Sequence, residues 1–306
     1  MVDIAAAAGD ARADAADGPD WARIAGRAHR ALEPLHALSY FADEVHDALV
    51  GIGLRPGRMT YFASRAAAMG EVSASVVAAT FYNFNAELVA KHIPRAWTLA
   101  ARDDILAARL AGVDQAYHRL LGPELLASAE LAELAQLARA AIENVGGEGR
   151  PLYAGQAGLG WPEPAHLQLW HAVTLLREHR GDGHLAALLR RDLNGIDAIV
   201  SHTATGRGFV AEHGRKLRGW SEEQWQQSLD RLRARGVLQP DHLALTEAGL
   251  QLRQAIEDDT DAMATGPWQR LGATRAERVI ELGKTVTRVA VANGAFPDGL
   301  FAYKHG

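Results

Sequence analysis

The sequence predicts an all-α protein, and two observations carry that prediction. Long runs of Ala, Leu, Arg and Glu lose little side-chain entropy in a helix, while β-branched and aromatic runs are few. Two distant segments also nearly repeat one another. ALEPLHALSYFADEVHDAL, from Ala31, and HLQLWHAVTLLREHRGDGHLAAL, from His166, share a His-Ala pair, a Ser or Thr three residues after the His, and acidic residues and a second His downstream. A weaker echo links residues 113–122 with 261–272. The chain reads as a diverged tandem duplication of helical modules, with His36 and His171 in equivalent places.

The elements follow from breakers and caps. Residues 1–20 are Ala, Gly and Asp without a basic start or an apolar segment, so they read as a disordered segment rather than a secretory signal. A helix spans about 21–51 with a kink near Pro34, and glycines and a proline at 51–57 end it. Helices over 59–68 and, from the N-cap Ser73, toward His92 follow, the latter stopping before Pro94. Residues 103–121 and 128–144 give two more. The Gly146-Gly147-Glu148-Gly149 run marks the boundary between repeat one (21–150) and repeat two (151–306).

Repeat two opens with an irregular Gly- and Pro-rich stretch at 151–164. A helix over 165–179 then meets a turn at Arg180-Gly181-Asp182-Gly183, and helices at 184–192 and 195–205 come next. Ser221 caps a helix that Gly236 ends, two short apolar runs flank Pro240-Asp241, and the segment from Leu245 starts another helix. Residues 187–258 thus form a winged-helix-like segment with a minor β-hairpin wing.

That helix, hairpin and helix resembles the winged helix-turn-helix of MarR-type proteins. Across most of its length the chain is also similar to an actinobacterial family of helical proteins called SalK-like. The motifs are Glu33-Pro34-Leu35-His36-Ala37, Thr80-Phe81-Tyr82-Asn83-Phe84, Trp170-His171-Ala172, Glu178-His179-Arg180-Gly181-Asp182-Gly183-His184 and Arg218-Gly219-Trp220-Ser221. The resemblance implies a helical fold with winged-helix character and carries no single function.

Charge and composition narrow the function classes. The 306 residues include no Cys, which excludes thiolate chemistry and disulfides and fits a cytoplasmic home. No stretch is long and apolar enough for a membrane span. The net charge is −5, the candidate recognition helix begins Ser-Glu-Glu, and the wing has no Lys or Arg. Ten basic residues face eight acidic ones over 187–256, so the expectation is that DNA is not a partner. A homodimer stays open.

Chemistry is sought instead in a small-molecule pocket between the repeats. Helical spacing puts His171, Thr174 and Glu178 on one face, and His36, Ser39 or Tyr40, and Asp43 on its counterpart. The expected catalytic set is His36, His171, Glu178, Asp182 and His184, acting by acid–base chemistry on a secondary-metabolite-like substrate. Tyr40, Tyr61, Arg65, Phe81, Tyr82, Asn83, Trp170 and Thr174 form the expected ligand-binding wall, mostly apolar with a few polar handles. For each His, the plain alternative is a core side chain with one hydrogen bond. No cofactor is expected, because no nucleotide cradle or nucleophile elbow occurs. A non-haem metal on His36, His171, Glu178, His179 and His184 stays open, although their spacing matches no metal motif. A sequestering protein and a ligand-responsive transcription regulator are the alternatives to an enzyme.

Overall fold

The computed structural model of the chain describes residues 18–206 and 210–297. Residues 1–17 of the N-terminal segment therefore lie outside the described residues. Among those described, the α-helices are α1 (Trp21–Ala37), α2 (Asp43–Gly51), α3 (Arg58–Ala66), α4 (Ala74–Phe81), α5 (Ala86–Ala90), α6 (Arg102–Leu126), α7 (Ala129–Ile142) and α8 (Pro151–Ala157). They continue with α9 (Ala165–Arg190), α10 (Gly195–Thr203), α11 (Ala211–Arg218), α12 (Glu222–Ala234), α13 (Glu247–Met263), α14 (Gly266–Leu271) and α15 (Ala273–Ala292). The fold is all-α, and the wing is a single antiparallel bridge between Leu238 and Leu245. None of these helices is long and apolar enough to cross a membrane.

Helix starts obey their caps. The side chains of Asp20, Ser73, Asn85, Ser128, Asn194, Ser221 and Thr246 each accept a backbone N–H of the first turn that follows. At Ser221 the box is complete, because Gln224 reaches back to the Ser221 N–H. Four boundaries differ from the sequence expectation. The first helix ends at Ala37, one turn beyond Pro34, and α2 starts afresh at Asp43. The expected helix over 73–92 breaks at 82–85, where Tyr82 adopts a positive φ of 57° and Asn85 caps α5. Residues Pro151–Ala157 are helical, with proline at the start of α8, where its missing N–H costs nothing.

The fourth difference matters most, because there is no turn at 180–183. Helix α9 runs unbroken for 26 residues, and Gly183 serves packing instead. A Cβ on Gly183 would lie 2.9 Å from Arg150 Nη1 and 3.4 Å from Met263 Cβ. Buried residues occur all round α9, which packs against α1, α6, α7, α8 and α13. The segments that carry the sequence echo fold in different local forms. Residues 31–49 make the end of α1, a 3₁₀ turn and most of α2, whereas 166–188 stay within α9.

Two hydrophobic cores result. The larger draws on buried residues from Ile24 to Leu176 and again from Ala264 to Ala295. The smaller takes Ala187 to Ile256, that is, the end of α9 through α13. The Gly146–Gly149 run is a largely exposed loop, and buried residues on both sides of it, Ile142 and Leu152, belong to the larger core, where α9 packs on α1 and α7.

Helices α2 and α6 approach so closely that Gly112 has no room for a side chain. Its Cβ would stand 2.5 Å from Val45 Cα and 2.8 Å from the Glu44 carbonyl oxygen. Gly112→Ala should therefore destabilise the protein by about 2 kcal/mol despite the ~1 kcal/mol helix-propensity gain, because backbone atoms must move. Urea midpoints of the two proteins check this.

Candidate functional site

Five elements converge on one buried polar cluster. From α9 come Trp170, Thr174 and Glu178, spaced four residues apart on one face, together with Arg177. The end of α1 supplies Glu33 and His36, the following 3₁₀ turn supplies Tyr40, α3 supplies Tyr61 and Arg65, and α6 supplies Arg109. Among them lies a small cavity of about 10 Å³, room for about one water, lined in part by His36, Tyr40, Arg65, Arg109, Trp170 and Glu178.

Glu178 is the anchor, with no exposed surface. Arg65 grips it with two parallel bonds, Nε to Oε1 and Nη2 to Oε2, each 3.0 Å. Arg177 Nη1 donates to Oε2 at 2.7 Å and its Nε lies 3.6 Å from Glu33 Oε1. Burial alone would raise the Glu178 pKa, but Arg177 and Arg65 together hold it far below the usual carboxylate range. Burial raises that of Glu33.

The hydrogen bonds fix the His36 tautomer. Thr174 Oγ1 donates to the Trp170 carbonyl at 2.7 Å, so at 2.9 Å from His36 Nδ1 it must accept. His36 Nε2 then accepts from the Tyr40 hydroxyl at 2.6 Å. Burial, reinforced by Arg177, keeps the imidazole neutral, with its pKa well below the ordinary histidine value. Rings extend the cluster outward. Arg65 lies over Phe81 at 4.4 Å, Tyr61 packs against Tyr40, Phe62, Phe81 and Phe84, and Trp170 stacks parallel to His36 at 6.3 Å.

Of the residues expected at the site, His36, Tyr40, Tyr61, Arg65, Phe81, Trp170, Thr174 and Glu178 come together. The other five do not. His171 packs edge-on against Trp161 at 4.7 Å, and its buried Nε2 has no hydrogen-bond partner. Asp182 accepts the Tyr153 backbone N–H at 2.9 Å and so caps the first turn of α8. His184 Nδ1 pairs with Thr260 on α13 at 2.9 Å. Tyr82 donates to the Leu193 carbonyl, and the Asn83 carbonyl accepts from Trp220 Nε1. Sequence reasoning missed Glu33, Arg109 and Arg177. Arg109 had a signal, since it interrupts the apolar stripe of Ile105, Gly112, Ala116 and Leu120 on α6.

Chemically, this arrangement is held tight rather than poised for proton transfer. A carboxylate gripped by two guanidiniums is a weak base, and the basic nitrogen of His36 is already occupied by Tyr40. Metal-ligating groups meet elsewhere. Asp114, His118 and His166 bring their ligand atoms within 4.8 Å of one another, although His166 Nε2 and Asp114 Oδ1 already satisfy each other at 2.5 Å.

The smaller core holds a helix-turn-helix. Helices α11 and α12 flank a turn at 219–221 in which Gly219 is left-handed (φ 75°), the bridge of Leu238 and Leu245 follows as a wing, and α13 closes the unit. A family model described as a helix-turn-helix family matches residues 25–297. The chain belongs to that family. No curated protein and no solved structure matches it.

A helix-turn-helix family points to DNA as a partner, which corrects the expectation that DNA is not one. As free charges at the tip of α12, Glu222 and Glu223 would repel a duplex. In the fold, Glu222 Oε2 lies 3.0 Å from Arg215 Nη2, and Glu223 accepts from the Gln227 amide. The turn also sets the basic end of α11, Arg215, Lys216 and Arg218, beside that tip.

Two outcomes follow from the buried charges. Glu178→Gln strands two guanidiniums and should cost about 3–5 kcal/mol in urea denaturation. Burial, with nearby arginines for His171 and His179, lowers His171, His179 and His184 to about 4. The unfolded chain then takes up their protons first. Stability is therefore complete above about pH 6.5 and lost as pH falls toward 4. Asp182, raised by burial to about 6, and Glu33, also raised by burial, work in the opposite sense, against these three histidines together with His29 and His36. Urea midpoints measured from pH 7.5 to 4.5 should fall steadily, and a flat profile would contradict this electrostatic picture.

Proposed function

We propose that the protein is a DNA-binding regulator whose helix-turn-helix answers to a small molecule held at the buried polar cluster. The observation that carries this reading is the seam at 82–85. One side of the seam belongs to the aromatic wall of the cluster, where Phe81 lies under Arg65 and Phe84 packs on Tyr61. The other side holds the tip of α12. Asn85 donates its backbone N–H to the Arg218 carbonyl at 2.9 Å and its side-chain amide to Gln224 Oε1 at 3.1 Å. Trp220 Nε1 donates to the Asn83 carbonyl at 2.9 Å, and Arg218 lies 4.2 Å over Phe84.

Gln224 Oε1 is also the acceptor that completes the cap of α12. A ligand that moves the aromatic wall therefore acts on the cap and orientation of the candidate recognition helix. Exposed Gln226 and Gln227 on α12 suit contact with base edges, and Arg235, which meets only backbone carbonyls, suits phosphate. The winged-helix resemblance to MarR-type proteins supports the same reading, under which the protein works in the cytoplasm. A homodimer would then read two half-sites about one helical turn of DNA apart.

Selection of fragments from the genome of the source organism, followed by fluorescence anisotropy at several salt concentrations, tests the reading. Specific binding that weakens steeply with salt is expected, with Gln226→Ala and Gln227→Ala relaxing sequence preference by about 1–3 kcal/mol. Binding that is absent, or equally tight to every sequence, would overturn it.

A further inference from the structure

The buried cluster holds more positive charge than the protein itself neutralises. Three guanidiniums, those of Arg65, Arg109 and Arg177, face two carboxylates, Glu33 and Glu178. Glu178 engages Arg65 and Arg177, and of the three guanidiniums only that of Arg177 lies within ion-pair distance of Glu33, whose other neighbour is His29 at 3.9 Å. Arg109 is the remainder. Its side chain donates to the Ser64 carbonyl at 2.8 Å and to Gln156 Oε1 at 3.2 Å, both neutral acceptors. Among the described residues no carboxylate lies within ion-pair distance of it. Arg109 is only 7% exposed, and the protein supplies neutral acceptors but no counter-ion to offset the cost of burying its charge.

Two donors at the same place lack acceptors. Arg109 Nε is buried with no hydrogen-bond partner, and so is Trp170 Nε1. Both residues line the same cavity, and the Arg109 guanidinium lies 5.1 Å over the Trp170 ring. Buried donors in native proteins find partners in the great majority of cases, and a pair left over beside a void marks the place of a missing acceptor. The surrounding potential has the matching sign. Burial should raise the Tyr61 phenol, yet Arg65, Arg218 and Arg177 together draw its pKa below the ordinary value.

The geometry points to a singly charged anion as the occupant of this cavity, held between Arg109 and Trp170. We propose that the effector of the regulator is such an anion or carries one. The space takes about one water, so either a free ion of that size or the carboxylate end of an organic acid would fit. Sulfate is larger than that space and carries twice the charge of the one unpaired guanidinium, so it is expected to bind poorly. The class of effector rests on the regulator reading, whereas the anion site stands without it.

The test uses the whole chain in a chloride-free HEPES buffer adjusted with sodium hydroxide. Thermal shift and isothermal calorimetry follow titration with bromide, formate, acetate, benzoate and sulfate, and bromide-grown crystals are examined for anomalous scattering. Saturable stabilisation by one or more of the monovalent ions is expected, with an anomalous peak between Arg109 and Trp170 and no saturable response to sulfate. Preference for bromide and formate identifies a free ion, and preference for benzoate identifies an organic acid. Arg109→Gln should weaken the response about tenfold or more. If that variant does not fold, Trp170→Phe removes one donor while keeping an aromatic ring and should weaken it too. Equal responses in wild type and both variants, or no saturable binding of any anion, would overturn the site. Anion binding without any effect on DNA would retain the site and reject the regulator. DNA binding with no anion site would do the reverse.

Discussion

A carboxylate with no surface in water can persist only if its environment replaces the lost hydration, and Glu178 meets that condition through the fork of Arg65 and the side chain of Arg177. Because Arg65 belongs to α3 and Glu178 to α9, the pair fixes how α3 sits on the central helix. The position of α3 sets Arg65 over Phe81, and Phe81 sets the loop on which the helix-turn-helix rests. Much of the arrangement outside the apolar cores can thus be traced to one buried ion cluster. Its geometry is bidentate and planar, which tolerates little rotation of either helix.

Local signals in the chain were read well and long-range ones poorly. Ser73, Ser128 and Ser221 announce helices because an N-cap acts within three residues, and a sequence carries that information in full. Gly181 and Gly183 were misread for the opposite reason. Two glycines around an aspartate have the grammar of a turn, and only the approach of Arg150 and α13 reveals that Gly183 makes room for a neighbour instead. The pairing of Tyr40, Arg65, Trp170 and Glu178 was legible as a set of polar handles among rings. The split of the histidines was not, since His36 and His171 share a motif but not an environment. Arg109 was visible as a charge in an apolar stripe, a signal as telling as any motif.

The same contrast explains the charge of the recognition helix. Counting Lys, Arg, Asp and Glu along residues 187–256 gives a near balance, but a count assigns every carboxylate to solvent. The fold gives Glu222 to Arg215 and Glu223 to Gln227, and buries Asp197 against Ser228 and Arg231. What a partner meets is the residue of these internal pairings. Electrostatic complementarity belongs to surfaces, and one-dimensional sums approximate it badly when half of the charges are already paired.

Arg150 carries a consequence for the history of the chain. Its guanidinium fills the place that a side chain at 183 would need, while holding the carbonyls of His179 and Met263. Any larger residue at 183 must displace it, and a shorter residue at 150 would abandon two acceptors on two helices at once. The two positions are therefore locked in a mutual veto, so that lineages descending from this protein should change both together or neither. A correlated pair of this kind would be a fossil of the α9 and α13 contact, readable even in relatives whose overall identity has faded.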